Sequence, residues 1–181
     1  MAYTKLTLAG IGGQGSILAG TILGNAAVTY GGKYATQTQA YSSELRGGFA
    51  ATWVIFSDEA IVYPRVVETD ILVAQAQDSI DRFSKTLKKG GILIADTDIV
   101  TAMPDCDAAM YAIPATSLAR NTFSAPIVAN IIMLGALTKI APVADRKCVE
   151  DAIAATVPQN KVDLNLKAFA AGFDMVAPYA K

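Results

Sequence analysis

Two stretches of this 181-residue chain carry residue types and spacings that could do chemistry. The first is Gly10-Ile11-Gly12-Gly13-Gln14-Gly15. Leu6 to Ala9 before it predicts a short buried strand, and Ser16 to Val28 after it predicts a long apolar helix. Strand, glycine turn and helix together build a cradle. Its first helical N–H groups lack intrahelical acceptors, and the helix dipole adds partial positive charge. Such a cradle suits a phosphate or carboxylate. Gly10, Gly12 and Gly15 also match the G-x-G-x-x-G spacing of dinucleotide sites. That fingerprint needs an acid about 20 positions on for the ribose. No Asp or Glu stands between Gly15 and Glu44, so NAD is disfavoured.

The second stretch is Gln37-Thr38-Gln39-Ala40-Tyr41-Ser42-Ser43-Glu44-Leu45-Arg46-Gly47-Gly48. It gathers amides, hydroxyls, a carboxylate, a guanidinium and a glycine pair. The sequence predicts a loop at a strand end, where open α/β sheets bind ligands. Arg46 offers a planar fork for a carboxylate, a phosphate or a partner's acid. A pairing with Glu44 is the simpler alternative. Asn130 is the one polar side chain of an apolar helix, and a buried amide must find partners. It is expected to bond a backbone group or to face the glycine loop or another chain.

The elements that must position these residues alternate in type. Lys33 to Gln37 predicts a strand after a glycine stop at Gly31-Gly32. Phe49 to Phe56 and Ala60 to Tyr63 predict an antiparallel hairpin turning at Ser57-Asp58-Glu59, with Trp53 in the core. Asp70 to Ala74 and Gly91 to Asp96 are short apolar runs of the kind buried on both faces of a sheet. Asp78 to Lys88 predicts an amphipathic helix stopped by Gly90-Gly91, and Ala109 to Ile113 a last strand. Helices follow at Thr116 to Arg120, Pro126 to Leu137, Asp145 to Thr156 and Val162 to Asp174. The expected class is α/β: a Rossmann-like three-layer sandwich, mostly parallel with one antiparallel hairpin, spanning 1–181 as one domain.

Composition narrows the function. Charged residues make up 17% of the chain, below the roughly 25% of ordinary domains, while 52% is hydrophobic. A surface so poor in charge suggests that another chain covers part of it. Net charge is −1 with no basic run, which disfavours nucleic acid. There is no histidine, so the commonest general base and metal ligand are missing. Cys106 and Cys148 cannot supply the four ligands of an iron–sulfur cluster. Glycines, Gln14 and Asn25 interrupt the uncharged run from Thr7 to Gly32, so neither a membrane span nor a signal segment is expected. The chain is placed in the cytoplasm with reduced thiols.

Gly10 to Gly15, followed by Gln37 to Tyr41 running into Glu44-Leu45-Arg46-Gly47-Gly48, resembles the gamma subunit of 2-oxoacid:ferredoxin oxidoreductases. The likeness continues through Ser57 to Pro64, Asp70 to Ala74, Gly90 to Ile94, Asn130 and Met133-Leu134-Gly135. Where the family commonly has Gly-Pro-Glu, this chain has Ser42-Ser43-Glu44.

The resemblance implies an oxidoreductase that decarboxylates a 2-oxoacid, passes electrons to ferredoxin and acylates coenzyme A. It implies thiamine diphosphate, magnesium and iron–sulfur clusters in partner subunits, none bound by this chain alone. The implied partners are alpha and beta subunits and a ferredoxin-like delta subunit, with ferredoxin reached through the complex. The isolated chain is expected to be inactive, with a homodimer open to it. No catalytic or metal-binding residue is assigned. The residues expected to touch ligand or partner are Gly12, Gly13, Gln14, Gly15, Gln37, Gln39, Tyr41, Glu44, Arg46, Gly47, Gly48 and Asn130. The alternatives are a free-standing nucleotide- or anion-binding protein using the glycine loop, and a purely structural subunit.

Overall fold

The structure, a computed structural model, describes residues 3–42 and 47–176. Six strands form one sheet: β1 (Thr4–Ile11), β2 (Tyr34–Tyr41), β3 (Phe49–Ser57), β4 (Thr69–Ala74), β5 (Leu87–Asp96) and β6 (Ala108–Ile113). Their spatial order is β2-β3-β1-β4-β5-β6. β1, β4, β5 and β6 run parallel to one another, and β3 runs antiparallel to both β1 and β2. The six helices are α1 (Ser16–Asn25), α2 (Gln77–Phe83), α3 (Ala115–Asn121), α4 (Ala129–Ile140), α5 (Arg146–Thr156) and α6 (Val162–Asp174).

The apolar runs explain the layers. Side chains alternate across a strand, so a run without polar breaks must be covered on both faces. Leu6, Leu8, Val54, Phe56, Ile71, Val73 and Ile94 pack against Ile22, Leu23, Ile131, Leu134, Val149 and Phe169 on one face. Leu72, Ala74, Leu93, Ala95 and Met110 pack against Ile80 and Val100 on the other. Trp53 is half-buried there and meets the edge of Phe83, with ring centroids 5.9 Å apart. Five helices thus stand on one side, and α2 with the Val100 segment on the other.

The expected class holds, and three local expectations are corrected. Ala60 to Tyr63 forms no strand, because β1 and β2 already occupy both edges of β3. The antiparallel hairpin is β2–β3 instead. Gln37 to Tyr41, expected in a loop, completes β2. Its alternation was masked by the amides: Gln37 faces inward yet is polar, because its side chain bonds α1. Finally, α2 ends at Phe83, and Lys88 to Gly91 belong to β5. The parallel register there jumps from Thr69 opposite Leu87 to Ile71 opposite Ile92. Gly90, at φ +71°, takes the left-handed turn of this bulge, so a glycine read as a helix stop serves a strand. Lys88 reaches back from the bulge to Asp70, with Nζ 2.6 Å from Oδ1.

Candidate functional site

Chain direction reverses across the sheet between β1 and β4. From β1 the chain moves outward to β2 and β3; from β4 it moves the other way through β5 to β6. Such a switch point opens a crevice beyond the carboxyl ends of the parallel strands. Four segments meet there: the glycine loop after β1, Gln75 after β4, Asp96 at the end of β5, and Thr116 at the start of α3. Together with Ile99, Pro126, Ile127 and Ala129 they line a cleft of about 320 Å³.

The loop is held by amides. Gln14 Oε1 accepts from the Ile11 N–H at 2.6 Å, and its Nε2 donates to the Gln75 carbonyl at 3.0 Å. Gln75 Oε1 accepts from the buried Ser16 hydroxyl at 2.7 Å, and its main-chain N–H donates to the Ala9 carbonyl at 2.9 Å. The Gly12 N–H donates to the Gly48 carbonyl at 2.8 Å, which ties the two sequence stretches together. Gly15 sits at φ +78° as the residue before α1, and a Cβ there would strike the side chain of Asn130. Only glycine meets both demands. Asn130 donates to the Gly15 carbonyl at 3.2 Å and accepts from the Ile131 N–H at 2.9 Å. Its buried amide is therefore satisfied by holding the loop. Gly13 stands at the crest at φ +99°, and its N–H and that of Gly15 have no acceptor among the described residues.

Asp96 is almost wholly buried. Burial pushes its carboxyl above the ordinary aspartate value, while the Thr116 hydroxyl and the N–H groups of Asp98 and Thr116 work the other way. The Thr116 hydroxyl lies 2.6 Å from its Oδ2. Asp98 next door accepts from the Ser117 hydroxyl at 2.6 Å. The two acids thus cap the start of α3 and close the far wall of the cleft.

Gly12, Gly13, Gln14, Gly15, Gly48 and Asn130 are gathered at this site, with Gly47 at φ +79° beside Gly48. Gln37 stands apart. It donates to the Ile17 carbonyl and the Thr52 hydroxyl, and accepts from the Thr21 hydroxyl, so it pins β2 to α1. Gln39 and Tyr41 are exposed on the edge strand β2. Glu44 and Arg46 lie outside the described residues. Gln75, Asp96 and Thr116 escaped the sequence reading. A signal existed: Gln75 follows one predicted parallel strand and Asp96 closes another, and ligands gather at those ends.

The donor set does not fit an iron–sulfur cluster. The chain has two cysteines; Cys148 packs under the helical layer and Cys106 against the α2 side of the sheet. Among the described residues, no group of three or more metal-ligating side chains comes together, and no helix is long and apolar enough to cross a membrane.

Residues 5–175, which hold all but the first residue of this sheet-and-helix architecture, match the pyruvate ferredoxin/flavodoxin oxidoreductase family. The chain belongs to that family. It is 44% identical over 173 residues to the 2-oxoglutarate synthase subunit KorC of Methanocaldococcus jannaschii, covering 94% of this chain and 92% of that one. It is 32% identical to the ketoisovalerate oxidoreductase subunit VorA of Methanothermobacter marburgensis, where it spans 36% of a longer chain. Among solved structures, the gamma subunit of a keto/oxoacid ferredoxin oxidoreductase from Geobacter sulfurreducens superposes with a TM-score of 0.85 at 39% identity, covering 94% of this chain and 96% of that one. This is a gamma-type subunit of a 2-oxoacid:ferredoxin oxidoreductase, a multi-subunit oxidoreductase. Partner subunits are accordingly expected.

Proposed function

We propose that the chain, as one domain, serves a 2-oxoglutarate-oxidising enzyme and that its glycine loop, with Gly47-Gly48 and Arg46, faces the catalytic partner chains and the anionic end of coenzyme A. The 44% identity to a 2-oxoglutarate synthase subunit over nearly full length supports the substrate. The open Gly13 and Gly15 N–H groups at the start of α1, bound to the second stretch through Gly12 and Gly48, support the loop's role. They offer directed donors and the positive end of a helix dipole, on a crest with little else to bond.

Thiamine diphosphate, magnesium and iron–sulfur clusters would supply decarboxylation and electron transfer to ferredoxin from the alpha, beta and delta-type partners; the two cysteines of this chain are too few for a cluster, and no metal-ligating group comes together among the described residues. Its own residues bind and position. Gln14, Gln75 and Asn130 fix the loop, and Arg46 adds a cationic fork.

Arg46→Ala and Gly12→Asp in the assembled enzyme test this reading. Gly12 has room for a side chain, since a Cβ there would meet only the Gly48 carbonyl, at 3.4 Å. Losing a charge-assisted contact of about 1.5–3 kcal/mol should raise the KM for coenzyme A at least about tenfold. Gly12→Asp should do the same by repulsion. Unchanged kinetics with unchanged assembly in both variants would remove the loop from the site.

A further inference from the structure

Among the described residues β2 is an edge strand, paired only with β3. The Ser42 N–H donates to the Phe49 carbonyl at 2.9 Å, which fixes the phase of the ladder. Even-numbered residues of β2 therefore turn their main-chain groups toward β3. Ala35, Gln37, Gln39 and Tyr41 turn theirs outward, where no main-chain partner stands among the described residues. An open edge of eight residues is an aggregation template, and proteins usually blunt such edges with charges, proline or bulges. Tyr-Ala-Thr-Gln-Thr-Gln-Ala-Tyr carries no charge and no proline. Tyr34 and Tyr41 at its two ends are 52% and 61% exposed, so their rings are available to a covering strand.

We infer that this edge is covered by the same edge of a second copy, two β2 strands pairing antiparallel across a two-fold axis at Thr38 and joining two six-stranded sheets into one. In this register Ala35 lies opposite Tyr41 of the second copy, and Gln37 opposite Gln39 of the second copy. All four outward residues then exchange both main-chain bonds. On the other face Thr36 lies opposite Ala40 of the second copy, and Thr38 meets itself. The ring of Tyr41 thus meets a methyl group rather than another ring. Near the axis a two-fold join brings Gln37, Thr38 and Gln39 close to their own copies, so a charge at those positions would face a like charge. The absence of charge at Gln37, Thr38 and Gln39 meets this condition, whereas a strand from an unlike chain sets no such condition.

Sedimentation equilibrium and directed cross-linking of the full chain test the join. The wild-type chain at high micromolar concentration should sediment at twice its 18.9 kDa mass. Thr38→Lys, at an exposed position, should sediment at half that mass with an unchanged circular dichroism spectrum. In a Cys106→Ser, Cys148→Ser background, Thr38→Cys should oxidise to a covalent dimer. Residues opposed at the axis have Cβ atoms about 4.5–5.5 Å apart, close to disulfide geometry. Thr36→Cys should not, because its two copies stand four residues apart along the strands, about 13 Å. A monomeric wild type, a dimeric Thr38→Lys variant or equal cross-linking through both cysteines would each overturn the join. A monomer whose β2 amides gain exchange protection only on mixing with the catalytic subunits would give the edge to an unlike chain instead.

Discussion

Gln75 does more for the glycine loop than any residue the sequence analysis singled out. Its side chain accepts from the Ser16 hydroxyl, and its carbonyl holds the Gln14 amide. Gln75→Ala strands a buried hydroxyl without its acceptor. The expected loss is about 1–3 kcal/mol, read from the urea midpoint at unchanged slope. A loss of only a few tenths would mean that Gln14 and Asn130 hold the loop alone. Asp96 makes a pH prediction. Burial raises its folded value above the ordinary one, so the folded chain takes up this proton at a higher pH than the unfolded chain does. The associated stability is fully present below the ordinary aspartate value and is lost as pH rises through the folded value. Asp96→Asn cannot titrate. The stability of wild type minus that of the variant should therefore fall as pH rises from the ordinary aspartate value toward neutrality. A difference that is flat or grows with pH would contradict a desolvated carboxyl.

At the scale of elements, α4 and α6 touch backbone to backbone. A Cβ on Gly135 would collide with the Phe169 carbonyl, and one on Gly172 with the Ile132 carbonyl. Two glycines facing each other's helix let Ile132, Leu134 and Phe169 close over the sheet. Gly135→Ala or Gly172→Ala must push the helices apart, with an expected cost of about 3 kcal/mol, measured by thermal and chemical denaturation. A cost under about 1 kcal/mol would show that the helices can slide.

The same elements show what was legible in the chain. α5, α6 and the parallel strands carry apolar patterns that match their burial, and they lie where those patterns put them. α6 spans the predicted Val162 to Asp174. β2 was only half visible, because Gln37 breaks the apolar alternation while filling an inward position with its own bonds to α1. The strand expected at Ala60 to Tyr63 has good β propensity, but propensity cannot report that both edges of β3 are taken. Gly90-Gly91 reads as a helix stop in isolation, and only the pairing of β5 with β4 makes it a bulge. At the site, the glycine loop was visible because its chemistry is local. Gln75, which holds the loop, and Asp96, which walls the cleft, stand about 60 and 80 positions on and become its neighbours only through the strand order.

At the scale of the whole molecule, the low charge and the crest of open N–H groups make sense in a subunit. The crevice is walled by Asp96 and floored by amides, yet its rim at Gly13 and Ile127 is bare, and Ile127 is 74% exposed. Two cysteines are too few for an iron–sulfur cluster, and among the described residues no group of metal-ligating side chains comes together. The chain's contribution must then be read in the assembled enzyme. The most direct test is reconstitution of the catalytic partner subunits with and without this chain, under anaerobic conditions, following coenzyme A-dependent reduction of ferredoxin with 2-oxoglutarate, pyruvate and 2-ketoisovalerate in turn. The account predicts that the chain enters the complex, that turnover depends on it, and that 2-oxoglutarate gives the highest kcat/KM. Full turnover without the chain, or a clear preference for one of the other two acids, would contradict it.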